Sequence, residues 1–206
     1  MTRSADLPFV IKVCGITNEE DARIAVEAGA NALGFNLYEK TPRHLTAERA
    51  GEIIEAVSGE YLRVAILVNP GAQRMPAAHF DVIQLHGKHC PLLPERRVWR
   101  AVTPSEIELS YPAEAYLFDT PTEKFGGSGE VFDWRLAAER SCRVIIAGGL
   151  DSSNVADAIA TALPWGVDAC SRLESRPGKK DARKVVAFIT AAREAFRIYM
   201  QQETSL

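Results

Sequence analysis

Short apolar runs alternate along the chain with amphipathic or capped polar segments, the pattern of repeated βαβ units. The first run, Val10 to Cys14, ends in a cysteine and a glycine. It leads into Asn18-Glu19-Glu20-Asp21, a capped helix start, with Gly29 just past the expected helix end at Ala28. Further strands are predicted at Ala32 to Leu37, Val64 to Val68, Val82 to Leu85, Val98 to Val102, Ala115 to Phe118, Val144 to Ala147 and Val167 to Cys170. A second helix is predicted from Ala47 to Val57 behind Thr46, another opening near Ser152-Ser153-Asn154, and a last one from Ala182 to Arg197. In that last helix Val185, Ile189, Ala192 and Phe196 share one face.

Eight strands in this alternation predict a (β/α)8 TIM barrel. The expected organisation is one domain over residues 1–206, with the barrel proper at about 9–197. Few residues separate Asn69 from Val82 and Gly87 from Val98, and both stretches carry prolines. A parallel crossover ordinarily takes a dozen residues or more, so the barrel is expected to be compact with shortened middle helices.

Composition narrows the function classes. At 47% hydrophobic the chain can fill a full core, and a net charge of -3 supplies no broad basic surface for nucleic acid. Phosphate recognition, if present, must be local. Cys14, Cys90, Cys142 and Cys170 are scattered without a C-x-x-C pair, which argues against zinc or a disulfide framework and suits a reducing cytosol. No signal-peptide or membrane-span pattern is present, so a cytoplasmic protein with no membrane partner is expected.

In such a barrel, chemistry collects where strands end. Those ends here supply Cys14, the loop carrying Arg43, Asn69, His86, Asp119, Gly148-Gly149 and Ser171-Arg172. Lys12 lies two residues before Cys14 and therefore on the same face of its strand. It either favours a Cys14 thiolate or pairs with Asp168 on strand 8, and the pairing is preferred because buried charges need partners. Gly148-Gly149 admits close backbone approach, the helix after it points amide groups at an anion, and Ser171 opens a second half of that cradle. His86 reads as a pocket-lining histidine, hydrogen-bonded at a strand end. Gly126-Gly127-Ser128-Gly129 is either a closing loop or a plain connector.

Lys12-Val13-Cys14-Gly15-Ile16-Thr17, Gly34-Phe35, Thr41-Pro42-Arg43, Gln84-Leu85-His86-Gly87, Phe118-Asp119-Thr120, Gly126-Gly127-Ser128-Gly129 with Phe132-Asp133-Trp134, and Ala147-Gly148-Gly149-Leu150 occur in this order. Together they make the chain resemble the phosphoribosylanthranilate isomerases of tryptophan biosynthesis, from strand 1 to the Pro177-Gly178-Lys179-Lys180-Asp181 run. The resemblance implies an Amadori rearrangement of a phosphorylated aminoaldose to an aminoketose. It makes Asp119 the general acid and Cys14 the general base, and it implies no metal and no organic cofactor. Arg43 becomes the clamp for the anthranilate carboxylate, and Gly148, Gly149, Ser171 and Arg172 the phosphate site. The partner is then a small phosphorylated sugar, and a monomer or a homodimer fits equally.

One departure stands out. The family carries a small residue after the serine that ends strand 8, whereas this chain has Arg172 in Ser171-Arg172-Leu173-Glu174. Arg172 is expected to open a short helix and lie near the anion. Competing readings are a barrel isomerase that works with an aspartate pair, against which Cys14 argues, and a catalytically silent phosphosugar-binding barrel, against which Cys14 and Asp119 together argue.

Overall fold

Eight parallel strands close on themselves in chain order: β1 (Val10–Cys14), β2 (Ala32–Asn36), β3 (Leu62–Val68), β4 (Val82–His86), β5 (Val98–Val102), β6 (Ala115–Phe118), β7 (Val144–Ile146) and β8 (Gly166–Ala169). The computed structural model describes residues 7–70, 79–87, 91, 93, 95–103, 112–119, 132–138 and 140–203. Four α-helices lie among them: α1 (Glu19–Ala28), α2 (Ala47–Ala56), α3 (Val155–Ala162) and α4 (Ala182–Glu203). The shortened helices expected after β3, β4 and β5 fall largely on 71–78, 88–90 and 104–111, outside the described residues.

Apolar runs make these strands because both faces are buried, one against the barrel interior and one against the helices. Alternation splits the core in two. Val10, Val64, Val82, Trp99, Leu117 and Ile145 pack together inside the barrel, while Ile11, Val13, Leu33, Phe118 and Val167 pack outward with helix residues. This phase bears on the site: Lys12 and Cys14 share the inward phase of Val10, and alternation continued one residue past β6 gives Asp119 the phase of Leu117.

Local signals set the helix ends. Asn18 accepts a hydrogen bond from the Asp21 amide, and Gly29 ends α1 in the left-handed region. Thr46 caps α2 as expected. On α4, Val185, Phe188, Ile189, Ala192 and Phe196 are buried, each contributing about 1.5–3 kcal/mol for the larger side chains. The helix runs on to Glu203, past the expected end near Arg197. None of the described helices is long and apolar enough to cross a membrane.

Two features after β7 differ from expectation. Strand β8 stops at Ala169, and Cys170 leaves the extended conformation (φ -134°, ψ -86°) as the chain enters a 3-10 turn over Ser171–Leu173. The run to Lys180 is a small antiparallel hairpin, β9 (Glu174–Arg176) and β10 (Lys179–Lys180). It folds back over α1. The Lys180 amide donates to Asp21 (2.8 Å), Lys179 Nζ to the same carboxylate (2.7 Å), and Thr17 Oγ1 to the Gly178 carbonyl (2.5 Å).

Candidate functional site at the carboxyl ends of the strands

Cys14 ends β1, the loop to Arg43 follows β2, His86 ends β4, Asp119 follows β6, Gly148-Gly149 follows β7 and Ser171 follows β8. All the sequence-derived candidates therefore lie at one end of the barrel. Strand alternation gives Cys14 and Asp119 the inward phase there, on strands three places apart round the closed sheet. The Asp119 amide donates to the Val102 carbonyl (3.2 Å), which pins the residue at the end of β6.

Beneath Cys14 sits a buried ion pair. Lys12 Nζ donates to Asp168 Oδ1 at 2.9 Å, and the lysine is fully buried. Burial works against the Lys12 charge, but Asp168 and then Cys14 outweigh it and hold the ammonium above its ordinary pKa. Gly34 makes the space: a Cβ there would come 3.0 Å from Lys12 Nζ and 3.1 Å from Cys14 Cα. The preferred pairing of Lys12 with Asp168 is thus present.

Arg43 is held from within the chain. Its Nε and Nη2 donate to the two oxygens of Glu174, each at 2.7 Å, a bidentate pair with the carboxylate almost fully buried. Lys180 Nζ reaches the same carboxylate at 3.2 Å. An incoming carboxylate would meet an arginine already oriented by Glu174 and would have to use its remaining N–H groups.

The same network touches a second thiol. Lys180 Nζ lies 3.1 Å from the Cys170 carbonyl and 3.8 Å from Cys170 Sγ. Gly15, at φ +72°, sits between the two: a Cβ there would be 2.6 Å from Arg43 Cδ and 2.9 Å from Cys170 Sγ. The β1–β8 register, which sets Val13 against Ala169, brings Cys14 and Cys170 side by side just past the paired residues. The neighbouring thiol and then burial push Cys14 well up despite Lys12, whereas Cys170 is pulled down to about 6 by its Cys14 neighbour, with help from Lys180 and Arg43.

Cys170, Glu174 and Lys180 were not singled out from sequence. A signal for Cys170 was available, because Lys12-x-Cys14 and Asp168-x-Cys170 have the same spacing. Once Lys12 pairs with Asp168 across the β1–β8 seam, parallel register carries Cys14 to Cys170. Glu174 and Lys180 depend on the hairpin, for which no pattern was read.

His86 Nε2 lies 2.7 Å from the Gln84 side-chain amide, two residues back on the same strand. Burial, then the charges of Lys12 and Arg100, push its pKa down to about 3 and keep the ring neutral. The paired strands β7 and β8 bring Gly148-Gly149 (φ 82° and 61°) beside Ser171. Asn154 braces the first loop, donating to the Gly149 carbonyl (2.8 Å) and accepting from the Asp151 amide (2.9 Å). Arg172 is the second residue of the 3-10 turn, which Ser171 rather than Arg172 opens, and its Nη1 pairs with Asp151 Oδ2 at 2.9 Å, joining the two loops. Burial disfavours the Asp151 carboxylate, but bonds from Ser153 and Arg172 outweigh it and lower its pKa. The Gly126–Gly129 loop lies outside the described residues.

Comparison with known proteins bears on the family and the fold. Residues 11–191 match the family described as N-(5'phosphoribosyl)anthranilate (PRA) isomerase. The N-(5'-phosphoribosyl)anthranilate isomerase of Solibacter usitatus is 48% identical over 199 residues, covering 91% of this chain and 98% of that protein. The crystal structure of the Thermotoga maritima phosphoribosyl anthranilate isomerase superposes with a TM-score of 0.81 at 33% identity, covering 90% of this chain and 99% of the other. A further isomerase structure, in complex with reduced 1-(o-carboxyphenylamino)-1-deoxyribulose 5-phosphate, gives a TM-score of 0.78 at 31% identity over the same shares. The chain belongs to the N-(5'-phosphoribosyl)anthranilate isomerase family.

Proposed function

We propose that this chain converts N-(5-phosphoribosyl)anthranilate to 1-(2-carboxyphenylamino)-1-deoxyribulose 5-phosphate in tryptophan biosynthesis, with Asp119 as general acid and Cys14 as general base. The observation that carries the reading is the position of Cys14 at the end of β1 and of Asp119 just past β6, both on the inward phase of strand alternation. The reaction opens when Asp119 protonates the ribose ring oxygen as the C1–O bond breaks and the anthranilate nitrogen forms an iminium with C1. Cys14 thiolate then takes the proton from C2. The C–H pair becomes the C1–C2 double bond, the iminium pair returns to nitrogen, and ketonisation completes the aminoketose. The substrate nitrogen is the electron sink throughout.

The remaining residues bind and orient. The Gly148-Gly149 and Ser171-Arg172 loops receive the phosphate, aided by amide groups at the turn and helix starts. Arg43, preset by Glu174, meets the anthranilate carboxylate. His86 stays neutral and lines the pocket. The setting is cytoplasmic, with a phosphorylated sugar as partner. Freshly made phosphoribosylanthranilate loses fluorescence on conversion, so the purified chain should quench it with saturable kinetics. A stable signal would contradict the assignment.

A further inference from the structure

The base assigned to Cys14 has a difficulty: its own surroundings favour the protonated thiol. The neighbouring Cys170 and then burial favour its proton, and Lys12, the nearby cation, is already matched by Asp168 at 2.9 Å. A second thiol with a different electrostatic setting lies against it.

The charged groups around this thiol pair come from every adjoining element. β1 supplies Lys12, β8 supplies Asp168, the loop after β2 supplies Arg43, and the hairpin supplies Glu174 and Lys180. Asp21 of α1 is the next group out and is matched by Lys179. Among the described residues of the cluster, three cations face two carboxylates, so one negative charge on the thiols brings these groups to balance. That charge favours Cys170 over Cys14. Lys180 and Arg43 share the single carboxylate of Glu174 beside Cys170, whereas Lys12 is matched one-to-one beside Cys14. His86, beyond Lys12, adds no charge because its ring is neutral.

We infer that Cys170 is the positioning residue that makes Cys14 a usable base, holding the thiolate charge in the resting enzyme and taking the Cys14 proton when substrate is bound. The inference rests on Cys14 being the base. The step balances within the pair: the Cys14 S–H bond breaks, a Cys170 S–H bond forms, and the charge passes from one sulfur to the other. The Cys14 thiolate then takes the C2 proton of the sugar. No proton need be lost to solvent from Cys14 itself, and the cluster carries the same net charge before and after the transfer. The lowered pKa of Cys170 and the raised pKa of Cys14 agree with this division, and as a coupled pair they lose their first proton as a unit.

The test is the pH dependence of kcat/KM, which reports ionisation of the free enzyme. In wild type the active form has one proton on the two thiols, so activity falls as pH drops through the pair's first pKa, below the ordinary thiol value of about 8.5. In Cys170→Ser and Cys170→Ala the only thiolate is that of Cys14. The acid limb should move up by at least about one pH unit, costing roughly tenfold or more at pH 6 and recovering in alkali. A purely structural role would lower activity evenly across pH and leave the limb in place, which would overturn the inference. A second measurement needs no variant. Iodoacetamide labelling of wild type, mapped by mass spectrometry across pH, should modify Cys170 first, with a midpoint below that of an ordinary thiol. Labelling of Cys14 first at the lowest pH would overturn the inference. If instead Cys14→Ser keeps full turnover, it is the assignment of the base that fails, and the wild-type labelling order still reports on Cys170.

Discussion

Lys12 Nζ lies 2.9 Å from Asp168 Oδ1 inside the barrel, across the seam where β1 meets β8. Neither charge is solvated, so each depends on the other. Lys12→Met should leave Asp168 buried and unmatched, at a cost of about 3–5 kcal/mol, the range for breaking a buried pair from one side. Urea unfolding at pH 7 measures this directly. A loss below about 1 kcal/mol would show that the carboxylate finds another partner.

Glu174 holds Arg43 and Lys180 together, and these bonds outweigh the effect of burial to depress its pKa. A carboxyl group with a lowered folded pKa contributes stability above its unfolded value of about 4.3 and loses it as pH falls through the folded value. Glu174→Gln should therefore lower stability at neutral pH and flatten the acid arm of the stability curve below about pH 5. Parallel acid arms in wild type and variant would contradict the pairing.

Arg172 and Asp151 tie the two loops assigned to phosphate. Arg172→Ala should raise KM for the phosphosugar several-fold, by roughly 1 kcal/mol of lost binding, and lower kcat less. Asp151→Asn should do the same if the arginine acts by holding the loops together. Wild-type kcat and KM in both variants would make the pair a surface contact only.

His86, held at about 3, should not titrate in the folded protein between pH 5 and 8. Its unfolded value is about 6.5, so the unfolded chain gains a proton that the folded chain refuses, and stability declines as pH falls below that value. Histidine ring shifts followed by NMR test the first point. A midpoint near 6.5 for His86 would place the ring in solvent.

How far the sequence carried these conclusions depends on the range of the interaction. Strands such as Val64 to Val68 and caps such as Asn18 and Thr46 were legible because a few neighbouring residues decide them. The Lys12–Asp168 pair was also legible, since barrel closure makes β1 and β8 neighbours and a buried lysine demands an anion. The Arg43–Glu174 bridge was not, because it joins residues 131 apart through a hairpin with only short, polar strands. Cys170 was hidden for another reason. Counted as one of several scattered thiols and placed inside strand 8, it was never set beside Cys14, although the register that pairs Lys12 with Asp168 leads straight to it.

The central claim is that Cys14 and Asp119 carry the two proton transfers. It is tested most directly by kcat for phosphoribosylanthranilate in Cys14→Ser, Asp119→Asn and the double variant, each confirmed as folded by circular dichroism. Loss of either proton-transfer group should lower kcat by about 10²–10⁴-fold with KM changed far less. Turnover by the double variant at the wild-type rate would contradict the account.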